Sequence, residues 1–171
     1  MQIRGRTKRL ATLSMLVAVA MILSYVESLI PPLVAVPGVK IGLSNIVTVF
    51  ALYALGPKSA VCVSAVRVSL SALLFGNLAS FIFSISGAAL SLLAMIVLTR
   101  VGVFSQIGVS VAGGVCHNAG QIIAAIFVLR NTGIIYYLAP LVVSGTLAGV
   151  AVGAAAGLAC ARLKGIFGKI N

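Results

Sequence analysis

Eight polar side chains sit where an apolar chain would not be expected to carry them. His117, Asn118 and Gln121 fall together in "VCHNAGQIIAA", and Arg67 stands alone in "AVCVSAVRVSLSALLF". Tyr25, Glu27, Asn45 and Asn77 lie in or beside other apolar runs. A lone histidine can relay a proton, yet no acid near it in sequence orients the ring, and no Ser-His-acid set is evident. The chain has no aspartate and one glutamate, so it cannot by itself build the acidic Mg²⁺ clusters that hold a diphosphate. It has no Walker A sequence. Its cysteines, Cys62, Cys116 and Cys160, are isolated and lack metal or disulfide spacing, so they read as small packing residues. No catalytic residue, metal ligand or cofactor is assigned. The chemistry on offer is hydrogen bonding and charge, which suits binding.

The elements that hold these groups are set by composition. Of 171 residues, 61% are hydrophobic and 8% are charged, against about 25% charged in a soluble domain. A surface of this size cannot be clothed in water-compatible side chains from that stock. The chain reads as an all-α integral membrane protein, one transmembrane domain over 1–171. A net charge of +11 invites a nucleic-acid partner, but its distribution argues against one. Arg4, Arg6, Lys8 and Arg9 precede the first apolar run, and Arg162, Lys164 and Lys169 close the last. Such clusters anchor a chain on the cytoplasmic side and meet anionic lipid headgroups.

Six spans are expected: 10–30, 41–55, 59–75, 78–99, 105–129 and 134–163. Basic ends at 1–9 and 164–171 flank the bundle. Pro31-Pro32, Gly56-Pro57 and Gly76-Asn77 punctuate the early ones. The first run is longer than a signal-peptide core, and no small-x-small site follows it, so it is read as a retained helix. With both termini inside, nine basic residues face the cytoplasm and two, Lys40 and Arg130, face out. That bias favours an N-in, C-in, multi-pass protein of a bacterial cytoplasmic membrane. The segment "PPLVAVPGVK" cannot be a regular helix. It either folds over the outer face, dips partway in, or simply connects.

Small residues mark helix contacts. Gly145, Gly149, Gly153 and Gly157 recur every four residues in the sixth span. Gly108, Ala112, Cys116, Gly120 and Ala124 do so in the fifth, and Ser80, Ser84 and Ala88 in the fourth. Ala11, Ser14 and Ala18 offer a similar face on the first.

An unpaired Arg67 at mid-membrane costs roughly 2.5–3.5 kcal/mol or more, so it must meet a partner or a wet cavity. Two readings are open. In one, the polar groups satisfy each other: Arg67 with Glu27 or a backbone carbonyl, His117 with Asn118 or Gln121. In the other, they line an outward-opening cavity suited to an anionic or acceptor-rich ligand. His117 and Gln121, four apart, share a helix face. Tyr136 and Tyr137, at the start of the sixth span, read either as part of the cavity mouth or as interfacial belt residues.

The blocks "ILSYVESLIP", "PGVKIGLSNIVTVFALYALGP", "RVSLSALLFGN" and "SVAGGVCHNAGQ" resemble the Gx transporter family, whose members carry the label heptaprenyl diphosphate synthase component I. The resemblance covers about residues 10–160. The second block is also similar to the second span of S components of energy-coupling factor (ECF) transporters. That likeness implies a six-span bundle that captures a vitamin-like small molecule outside and docks through small residues of its first helix. Its docking partners would be a T component and ATPase subunits. Ala11, Ser14 and Ala18 are then the docking residues. Tyr25, Glu27, Asn45, Arg67, Asn77, His117, Asn118 and Gln121 are expected around the ligand on their polarity and depth. A flavin, quinone-precursor or isoprenoid-related ligand fits the family's setting. An accessory subunit of isoprenoid or quinone synthesis, or a scaffold in flavin-based electron transfer, is the alternative.

Overall fold

The computed structural model describes residues 2–29 and 42–167, with side chains over 7–29 and 42–163. The proline-rich segment 31–40, Lys40 and Lys169 lie outside the described residues, as do the side chains of Arg4, Arg6 and Lys164. The described chain is helical: α1 Gln2–Leu29, α2 Asn45–Leu55, α3 Pro57–Phe75, α4 Leu78–Val101, α5 Gln106–Leu129, a 3₁₀ turn Thr132–Tyr137, and α6 Leu138–Phe167. Five of these are long and apolar enough to cross a membrane; α2 is not.

Local chemistry sets the ends. Asn77 Oδ1 accepts from Ser80 N–H at the head of α4, and Ser105 Oγ accepts from Gly108 N–H at the head of α5. Gly102 closes α4 with φ +74°. Gly56, at φ +86°, turns α2 into α3 in a single residue, and Pro57 follows at the first helical position, where its missing N–H costs nothing.

Three contacts fix the direction of α1 and α3. Arg9 Nη2 donates to Ser59 Oγ, Ser71 Oγ meets Met21 Sδ, and the Tyr25 and Phe75 rings lie 5.5 Å apart. Each pair is fifty residues apart, and a constant offset means parallel helices. The chain between them must therefore travel back along the pair. The return was expected as a span beginning at Ile41. Instead the helix starts at Asn45, after a turn in which Asn45 N–H bonds Gly42 O and Ile46 N–H bonds Leu43 O. Eleven residues at about 1.5 Å each reach about 16 Å, roughly half of a hydrocarbon core. Gly42, at φ +77°, forms part of that turn, which is why a helix cannot begin earlier.

The helices α4, α5 and α6 run antiparallel in turn, and glycine brings them close. A Cβ on Gly120 would lie 2.8 Å from Ser86 O, and one on Gly149 2.5 Å from Val111 Cα. Gly145, Gly149 and Gly153 all press on α5, whereas Gly157 has no neighbour nearer than 3.6 Å. The expected single stripe on α5 is corrected. Gly113 and Gly120 face α4 while Gly114 faces α6, and Gly108 meets only its own N-terminal turn. A helix sandwiched between two others needs small residues on two sides.

The apolar core fills one end of the bundle. Leu16 and Ala20 of α1, nearly all of α2, Ala60 and Val63 of α3, Met95 of α4, Val109 of α5 and Val152 of α6 are buried together. By the helix directions, that is the end where α1 and α3 begin. The outer face of α1 is open, and Ala11, Ser14 and Ala18 are exposed on it beside Met15 and Ile22.

Candidate ligand-binding cavity

Above that core the helices part around a cavity of about 190 Å³. Its lining includes six of the eight expected polar residues: Glu27 from α1, Asn45 from α2, Arg67 from α3, and His117, Asn118 and Gln121 from α5. That is room for several waters.

Arg67 is buried, with 9% of its surface exposed. Among the described residues its hydrogen bonds go neither to Glu27 nor to a backbone carbonyl, although the Glu27 carboxylate acts on its charge electrostatically. Nη1 donates to Ser44 Oγ and Nη2 to Asn45 Oδ1, at 3.2 Å for the second. Both acceptors belong to the turn that opens α2, so the short helix places its first side chains at the depth of the guanidinium. Glu27 holds the other side of that turn, accepting from Gly42 N–H. The turn is thus clamped between α1 and α3.

The clamp leaves Arg67 incompletely satisfied. A guanidinium has five N–H donors. Among the described residues, buried Nε has no hydrogen-bond partner. Leaving a buried donor unmade costs about 1–3 kcal/mol, more for a charged group. Gln121 Oε1 and Ser110 Oγ, on α5 and also in the lining, are buried and unpartnered as well.

His117 and Gln121 share a face, as their spacing predicts, and it is turned to α4. A Cβ on Gly87 would touch His117 O at 2.7 Å and Gln121 Cγ at 2.9 Å, so glycine there lets both side chains sit against the helix. Asn118 behaves differently. Its Nδ2 donates to Leu141 O at 2.6 Å, across to α6, in space that Gly145 leaves open. It is interhelical glue as well as lining, and its partner is α6 backbone instead of His117.

Two expected residues stand away from the lining. Asn77 is exposed and caps α4. Tyr25 is half exposed, its ring tilted against Phe75, which does reach the cavity. Tyr136 and Tyr137 are exposed on the 3₁₀ turn and do not line it. Sequence reasoning passed over the serines. Ser24, Ser44, Ser71, Ser84, Ser91 and Ser110 all face the space. Their signal was spacing: Ser80, Ser84 and Ser91 fall on one face of α4, whereas the stripe of Ser80, Ser84 and Ala88 had suggested only close packing.

A bundle of apolar helices with a buried guanidinium and serine-lined space defines a multi-pass membrane protein with a polar internal cavity. A family model described as heptaprenyl diphosphate synthase component I matches residues 16–158. The chain belongs to that family. No curated protein and no solved structure gives a significant match.

Proposed function

We propose that this protein is a membrane-embedded substrate-binding subunit, similar in role to an S component of an ECF transporter. It captures a small anionic or aromatic molecule in the cavity around Arg67 and passes it inward with a T component and ATPase subunits. The observation that carries this reading is the buried Arg67, hydrogen-bonded to two neutral oxygens and, among the described residues, with Nε unpartnered beside an open cavity. A charge in that setting is expensive unless function keeps it there.

The reading includes the path. The parallel run of α1 and α3, with the short α2 between them in sequence, supports six crossings with both termini on the cytoplasmic side. The cavity then opens outward, and the apolar core with α2 closes the cytoplasmic end. Transport requires that plug to move, and docking on the exposed face of α1, at Ala11, Ser14 and Ala18, is a means to move it.

The family description favours a second reading, an accessory membrane subunit of a prenyl diphosphate synthase that supplies no catalytic residues of its own. The cavity, at about 190 Å³, lies below the roughly 300–1,000 Å³ of drug-sized sites and cannot enclose a chain of seven isoprene units. Affinity purification from the native membrane separates the two. Recovery of ATPase and T subunits supports the transporter subunit. Recovery of a soluble, Asp-rich prenyl synthase without them overturns it.

A further inference from the structure

The unpartnered atoms of the cavity sit on different walls, and together they describe a ligand with two distinct ends. On the α3 wall, Arg67 uses Nη1 and Nη2 on Ser44 and Asn45, and its Nε is free of any described partner. An Nε–H together with the second hydrogen on a terminal nitrogen forms a fork that matches the two oxygens of a planar carboxylate. On the α5 wall, two buried atoms are unpartnered: Ser110 Oγ, which can donate or accept, and Gln121 Oε1, a pure acceptor, which calls for an N–H or O–H. The two helices both pack on α4, and the two atoms are not hydrogen-bonded to each other. Apolar side chains, Val68, Met95 and Val152, complete the walls.

We propose that the ligand is a small carboxylate with an apolar body and a hydrogen-bond donor at its far end, the carboxylate side-on to Arg67 and the donor on Gln121 Oε1. This rests on the reading of the cavity as a ligand site and narrows it. The volume, about 190 Å³, suits one ring with two small substituents.

The probe of that class is 4-hydroxybenzoate. It is compared with 4-hydroxybenzamide, which lacks the charge, and benzoate, which lacks the distal donor, by calorimetry on the full chain in nanodiscs. Wild type is expected to bind 4-hydroxybenzoate at least about tenfold more tightly than either control. Arg67→Gln loses the preference over the amide and keeps that over benzoate; Gln121→Leu does the reverse. Wild type alone decides the matter if a variant fails to fold. Equal binding of the acid and the amide overturns the carboxylate assignment, and equal binding of the acid and benzoate overturns the donor. If none of the three binds, the proposal is wrong. Native mass spectrometry of the protein from its host then shows whether a different molecule occupies the cavity, in which case the binding-subunit reading stands, or none does, and both fall.

Discussion

Arg67 Nη1 donates to Ser44 Oγ, joining the middle of α3 to the turn that opens α2. One bond explains two features that looked unrelated, a buried cation and a helix half the length of its neighbours. The helix is short because its first residues are the cation's partners. Both hydrogen-bond acceptors are neutral and Glu27 acts on the charge only electrostatically, so Nε is left for something else.

If Arg67 is retained for ligand, removing it frees the fold of a burden. Arg67→Met removes the insertion cost of an arginine, roughly 2.5–3.5 kcal/mol, but also gives up the bonds to Ser44 and Asn45, so the melting temperature in detergent is expected to stay near that of wild type. Binding should be lost in the same variant. A sharp fall in melting temperature would mark Arg67 as a structural residue.

Asn118 should matter for stability more than for affinity. Asn118→Ala removes the bond to Leu141 O, and interhelical bonds of this kind average about 0.6 kcal/mol with a ceiling near 1.7. Unfolding in detergent mixtures should show a loss in that range.

The α6 glycines should divide by position. Gly149→Ala pushes a methyl to 2.5 Å from Val111 Cα and is expected to cost about 1–3 kcal/mol. Gly157→Ala meets nothing closer than 3.6 Å and should stabilise by about 0.5–1 kcal/mol, because alanine is the better helix former. Similar melting temperatures for the two variants would contradict the packing described.

The face of α1 gives a test of partnership. Leucine at Ala11, Ser14 and Ala18 together should leave expression, melting temperature and ligand binding unchanged, because all three side chains are exposed. Co-purification with membrane partners should fall. Unchanged recovery of partners from cells carrying the triple variant would remove α1 as the docking element.

Much of the bundle could be read from sequence because glycine and proline interrupt runs too apolar for water. Leu78 and Leu129 are helix ends in both readings, set by Asn77 before the one and Arg130 after the other. The start of α2 could not be read that way. Gly42, Leu43 and Ser44 carry no charge or proline to stop a helix, and the positive φ of Gly42 and the pull of Glu27 and Arg67 on the turn hold them out of it. The pairing of Arg67 was hidden for the same reason, since serine and asparagine carry no charge to advertise a match. Tyr25 and Asn77 have the right polarity for a site, yet ring packing and helix capping account for their positions.

The central claim is that Arg67 stands in a ligand site. Native mass spectrometry tests it most directly, on wild type and Arg67→Met purified from the protein's own host. The account predicts a small-molecule adduct on wild type that is absent from a folded Arg67→Met. No adduct on wild type, or the same adduct on both, would contradict it.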